Sequence, residues 1–151
     1  MLFKQDQMFS KTCEYAIKAM IFVASTATEQ QRIGVKEIAK NIDAPEHFTA
    51  KILQELGRKK LLHSMKGPNG GFYLTEKDKK TSLADIVRAF DGEKIYDLCV
   101  LGLKVCSAKN PCPVHFEYVE IKKNLIKMIE NNTIAGFNEK LDNGKFFLKN
   151  H

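Results

Sequence analysis

The chain has 151 residues, 44% of them hydrophobic and 28% charged, and its 24 Lys and Arg against 18 Asp and Glu give a net charge of +6 and a sequence pI near 9.1. That length supplies one core, burying roughly 70% of the extended-chain surface, so disulfide staples are not needed. The longest clean apolar run is Ala19 to Ala24 and the start, MLFKQDQMFSK, lacks a signal peptide's apolar centre, which predicts a cytoplasmic protein with no membrane partner.

In FSKTCEYAIKAMIFVASTA, the residues Cys13, Ala16, Ile17, Met20 and Ala24 recur at the spacing of an amphipathic helix that Ser10 or Thr12 can cap. Cys13, on that stripe, reads as a core residue. After the polar link TEQQR, Gly34 precedes VKEIAKNI, where Val35, Ile38, Ala39 and Ile42 predict a second, two-turn helix. DAPEH is a turn in which Pro45 suits a helix's first position, where its missing N–H costs nothing. Phe48, Ile52, Leu53 and Leu56 then form the apolar face of a third helix that runs into GRKKLL. Two short helices joined by a tight turn, with small Ala39 at the crossing, make the pattern of a helix-turn-helix.

LLHSMKGPNGGFYLT reads as a strand over 61–65, a tip KGPNGG whose Gly and Asn tolerate positive φ, and a strand over 72–75. A basic-tipped hairpin after a recognition helix is a wing. The outward face of the third helix then presents Glu46, His47, Thr49, Ala50, Lys51, Gln54 and Arg58, of which His47, Thr49, Ala50 and Lys51 are expected to reach base edges in a major groove. Arg58, Lys59 and Lys60 suit phosphates, and Lys66, with Asn69 on the same tip, suits a minor groove or a phosphate. Between Lys51 and Lys66 five basic residues face a single acid, Glu55, so positive charge concentrates where double-stranded DNA would lie.

TSLADIVRAFDG predicts a packing helix with a Ser82/Asp85 capping box, Leu83, Ile86, Val87 and Phe90 turned inward, and Gly92 as its stop. In PVHFEYVEIKKNLIKMIENNT, the residues Val114, Tyr118, Ile121, Leu125 and Met128 fall on the alternating four-three spacing of a coiled-coil seam. The expected use is dimerisation, since a homodimer matches a palindromic operator; packing inside the monomer is the alternative. The fold class is therefore mainly α with a small β-hairpin wing, a winged helix-turn-helix with a long C-terminal dimerisation helix. Its parts are a DNA-binding domain over 8–80, a packing helix and link over 81–98, a cysteine loop over 99–113, a dimerisation helix region over 114–135 and a polar tail over 136–151, and the last stretch, IAGFNEKLDNGKFFLKNH, reads as one further short helix and that tail.

CVLGLKVCSAKNPCPVH, residues 99–115, gathers Cys99, Cys106, Cys112 and His115. In a reducing compartment such a cluster points to metal binding or redox sensing rather than a disulfide staple. Structural zinc, an iron–sulfur cluster and a metal-free thiol switch all remain open, although gaps of six and five residues between the cysteines are loose beside the roughly two to four of zinc knuckles. With Cys112 at the start of the long helix and Pro113 at its first position, His115 lies about one turn along, and the helix terminus favours thiolate at Cys112.

Taken in order, the YAIKAM helix, the helix-turn-helix with its KGPNGGFYL wing and the cysteine triplet before a long helix resemble the IscR/NsrR-like family of bacterial winged-helix regulators over about residues 8 to 135. The resemblance implies sensing through an iron–sulfur cluster or cysteine chemistry, with the wing's basic residue, here Lys66, in the minor groove. It matches the cluster cysteines to Cys99, Cys106 and Cys112 and a fourth ligand to His115. Members that sense nitric oxide instead use an acidic residue of the partner's first helix, which would be Glu14. The first cysteine gap is one residue longer than in the family pattern, which a loop can absorb. Histidine ligation favours a [2Fe-2S] centre, an oxygen-labile group that aerobic preparation can strip.

The reading is a homodimeric, sequence-specific transcription regulator whose DNA affinity follows a cluster that senses redox state, nitric oxide or cluster supply. A small electron-transfer protein is the rival from another class, though no Cys-x-x-Cys motif supports it. No nucleophile with a base partner, phosphate loop or paired-carboxylate signature marks an enzyme.

Overall fold

In the computed structural model, which describes residues 8–149, α1 (Lys11–Thr26) runs through the centre of the fold. The Ser10 hydroxyl caps it by accepting the Cys13 N–H at 3.1 Å. Cys13, Ala16, Ala19, Met20 and Val23 are fully buried along it. The leader reading rests largely on residues 1–7, which lie outside the described residues. Among the described residues no helix is long and apolar enough to cross a membrane.

α2 (Val35–Ile42) and α3 (Glu46–Arg58) pack on α1 as the helix-turn-helix. Asp43, in the left-handed region at φ 55°, ends α2, and Ala39 is buried as expected at the crossing. Pro45 caps α3 from outside rather than filling its first position, a one-residue shift that still leaves its missing N–H harmless. Ile38, Ile52, Leu53 and Leu56 join Met20 in the core, each contributing about 1.5–3 kcal/mol on burial. Tyr15 on α1 meets Phe48 on α3 edge to face, with ring centres 5.5 Å apart.

β1 (His63–Met65) and β2 (Gly71–Tyr73) pair antiparallel, with Ser64 opposite Phe72. Both strands are shorter than predicted. Ile33, just past the polar link TEQQR, adds a third edge: its N–H donates to the Phe72 carbonyl at 3.2 Å and its carbonyl accepts the Phe72 N–H at 2.8 Å. That approach requires Gly71, where a Cβ would lie 2.6 Å from the Ile33 oxygen.

α4 (Leu83–Asp91) has the predicted capping box, and Gly92 at φ 70° closes it. A single-turn helix, α5 (Lys94–Asp97), and a longer one, α6 (His115–Asn131), flank the cysteine loop. α7 (Ile134–Asp142) returns to α1, burying Ile134 completely. The further short helix expected in this last segment is α7, and Phe137 and Leu141 pack it against the main cluster. A short bridge ties the ends of α4 and α7: Leu83 N–H to the Asn132 carbonyl at 2.8 Å, and Ile134 N–H to the Thr81 carbonyl at 3.0 Å.

Candidate nucleic-acid interface and cysteine loop

On α3, His47, Lys51, Gln54 and Arg58 are exposed on one side, and Ala50 is half-buried. Thr49 is a correction: it is fully buried, and its hydroxyl donates to the Pro45 carbonyl at 2.9 Å. The physical reason is helical phase. Thr49, Ile52, Leu53 and Leu56 follow the i, i+3, i+4, i+7 pattern, so the inward stripe begins at Thr49, and the half-buried Phe48 sits at its edge. The spacing itself carried that signal; the polarity of threonine concealed it.

The basic residues divide into two kinds. Arg58 donates to Glu55 Oε1 at 2.6 Å and Lys59 Nζ stands 3.6 Å from the same carboxylate. The Arg58 hydrogen bond holds the Glu55 carboxyl below the usual carboxylate range. Lys51 and Lys66 are exposed and enter no ion pair among the described residues. A phosphate would meet them without competition. Lys60 adopts a left-handed backbone at φ 61° where α3 turns toward the wing.

Of the Gly and Asn residues expected to tolerate positive φ at the wing tip, Gly67, φ 113°, and Gly71, φ 148°, adopt it, and Asn69 does not. Gly70 is required for a different reason: a Cβ there would lie 2.3 Å from the Met65 carbonyl oxygen. Asn69 is exposed, and its carbonyl accepts from Arg32 Nη1 at 3.2 Å.

In the loop, Cys106 Sγ lies 3.5 Å from His115 Nδ1. Cys99 is buried, and backbone N–H groups of the 101–103 turn, Leu103 foremost, with a smaller contribution from the Cys112 side chain, hold its thiol below the ordinary value. All four cysteines are free. Pro113 is not the first residue of α6. Val114 caps α6, and His115 opens it, donating its N–H to the Cys112 carbonyl at 3.0 Å. Cys112 thus precedes the helix by a turn of chain instead of occupying its first turn.

Three thiols and an imidazole are donors of the kind that take an iron–sulfur cluster or zinc. Cys106 and His115 stand together, and among the described residues no three or more ligating side chains gather into one metal site. The donor chemistry fits a cluster. Glu14, the rival fourth ligand, lies on the first turn of α1 with its carboxylate 3.6 Å from Lys11 Nζ. Cys13 is core, as expected: burial first, then the Asp91 and Glu14 charges and an Asp91 hydrogen bond, push its thiol up to about 12.

Along α6 the predicted seam divides. Ile121 is 63% exposed and Met128 46% exposed, whereas Tyr118 and Leu125 are half-buried and Val114 is the cap. Leu125 packs inside the monomer against the small cluster formed around Cys13, Val87 and Ile129. Ile129, absent from the seam, is the fully buried residue of this helix.

Comparison with known proteins agrees with this architecture. A family model, Rrf2, described as an iron-dependent transcriptional regulator, matches residues 9–140. A chain described as a helix-turn-helix transcriptional regulator of Aquifex aeolicus is 35% identical over 129 residues, 84% of this chain and 88% of the relative. The regulator NsrR of Geobacillus kaustophilus is 24% identical over 123 residues, 81% of this chain and 83% of its own length. The solved structure of CymR, the global cysteine regulator of B. subtilis, superposes with a TM-score of 0.70 at 19% identity, covering 89% of this chain and 98% of that one, a likeness of fold.

Proposed function

This chain belongs to the Rrf2 family of transcriptional regulators, and from that premise we propose a homodimeric, sequence-specific DNA-binding protein whose affinity for a palindromic operator follows an iron–sulfur cluster, of the [2Fe-2S] type, at its cysteine loop. The observation that carries the sensing part is the meeting of Cys106 Sγ and His115 Nδ1 at 3.5 Å, at the point where the cysteine loop enters α6.

Cys99, Cys106, Cys112 and His115 would hold the cluster, with Glu14 of a second copy as the alternative to His115. Bound there, the cluster supplies a centre that changes on oxidation, nitrosylation or loss. The chain's own residues do the rest. His115 is both a donor and the first residue of α6, so a change in the loop is passed to that helix without an intervening linker. The exposed Ile121 and Met128 offer the apolar surface of a dimer seam, with Tyr118 and Leu125 at its margin. Movement of α6 would alter the spacing of the two α3 helices, and a spacing that no longer matches the half-sites lowers specific affinity. On α3 and the wing, His47, Ala50 and Lys51 would reach base edges, and Lys66, Asn69, Arg58 and Lys59 the backbone or minor groove.

Anaerobic purification with visible absorption, an iron and sulfide count and DNA binding tests this reading. A coloured protein with stoichiometric iron and sulfide, whose binding changes when the cluster is removed, supports it. A colourless protein holding one zinc and no sulfide overturns the cluster, and failure to bind any DNA fragment leaves the electron-transfer alternative. The free thiols of Cys99, Cys106 and Cys112 favour a second reading, a metal-free thiol switch, which predicts no iron and binding that responds to oxidant alone.

A further inference from the structure

Resting on the DNA-binding reading, we propose that Arg32 is a positioning residue for the wing, fixing the tip that carries Lys66 so that this lysine meets DNA in one pose. The wing tip has little to hold it: Gly67, Gly70 and Gly71 bring no side chains to pack and lose the most freedom on ordering. Among the described residues, the Arg32 hydrogen bond to the Asn69 carbonyl, 3.2 Å, is the single side-chain bond reaching residues 66–70. It crosses from the α1–α2 connection, whose next residue, Ile33, is already paired with Phe72 on β2.

The same guanidinium lies 5.7 Å from the Tyr73 ring centre. Tyr73 stacks on His63 at 5.3 Å, and His63 Nε2 is 2.9 Å from Asp78 Oδ2. Arg32 therefore joins the tip to both strands and to the turn beneath them. Its Nε is shielded from solvent without a hydrogen-bond partner, an unfavourable placement that the other contacts must outweigh. A planar guanidinium can lie against an aromatic ring while donating in its plane; a lysine ammonium cannot do both. Charge at this position is thus separable from geometry.

The test uses the full chain and a duplex selected by the wild-type protein from a random-sequence DNA pool. Dissociation constants are measured against salt for wild type, Arg32→Lys, Arg32→Ala, Lys66→Ala and the Arg32→Lys/Lys66→Ala double variant, with thermal unfolding and hydrogen exchange of the wing as companions. Arg32→Lys is expected to weaken binding about tenfold, to speed exchange of the 66–71 amides, and to cause no further loss of affinity or of salt slope once Lys66 is removed. Full binding by Arg32→Lys overturns the proposal. So does an equal loss in both backgrounds, or a further fall of about one in the salt slope when Arg32→Ala is added to Lys66→Ala, which is the signature of a direct phosphate contact. A Lys66→Ala variant that binds normally overturns it too. A wild-type protein that enriches no duplex fails earlier, at the DNA-binding reading itself.

Discussion

His115 Nδ1 and Cys106 Sγ stand 3.5 Å apart, so the first residue of α6 and the middle cysteine of the loop already share one place. If His115 completes the cluster, His115→Ala lowers the iron and sulfide content and shifts the visible spectrum, while Glu14→Ala leaves both unchanged. The opposite result assigns the fourth position to Glu14. Thermal unfolding of each variant separates lost ligation from lost packing, since His115 is buried and rests edge-on against Phe116 at 5.1 Å.

Lys66→Ala is expected to weaken binding to selected DNA and to lower the slope of log affinity against log salt by about one, as for the loss of one phosphate contact. The cluster spectrum should not change. Because Lys66 is exposed, stability should move by no more than about 0.5 kcal/mol. Unaltered affinity would show that the wing does not touch DNA.

On α6, Ile129→Ala and Ile121→Ala should behave differently. Ile129 is fully buried, and its truncation should cost about 2–5 kcal/mol in denaturant unfolding. Ile121, 63% exposed in the single chain, should cost the monomer almost nothing. Ile121→Asp should instead lower the dimer fraction in sedimentation, and an unchanged dimer would remove this face from the seam.

Cys13 adds a pH dependence whose sign is set by its raised thiol. In the unfolded chain the thiol ionises near 9.0, whereas in the fold it holds its proton to about 12. Between those values the native state binds the extra proton, so stability is fully present below pH 9.0 and is lost as pH rises toward about 12. Cys13→Ala should flatten that alkaline decline. Alkylation of the native protein at neutral pH should leave Cys13 unmodified, and rapid labelling there would contradict its burial.

Local chemistry made several elements legible. Ser10, the Ser82/Asp85 box and Gly92 mark helix ends by hydrogen bonds reaching no further than a few residues, and each cap is where the spacing placed it. The stripe along α1 is legible for the same reason, because one helix face repeats in the sequence itself. Thr49 shows the limit of that method: residue polarity suggested exposure, and only packing beside Ile52 and Leu53 shows the buried side.

What the sequence by itself determined is the winged helix-turn-helix, its basic face and the four sulfur and nitrogen donors, since these rest on short-range periodicity, turn residues and composition. Tertiary structure alone decided that Ile33 becomes a wing edge, that α7 closes the core through Ile134, and that Arg32 reaches Asn69. Each of these depends on residues far apart in the chain, whose meeting is set by how the helices pack around α1 and leaves no periodic trace in the sequence.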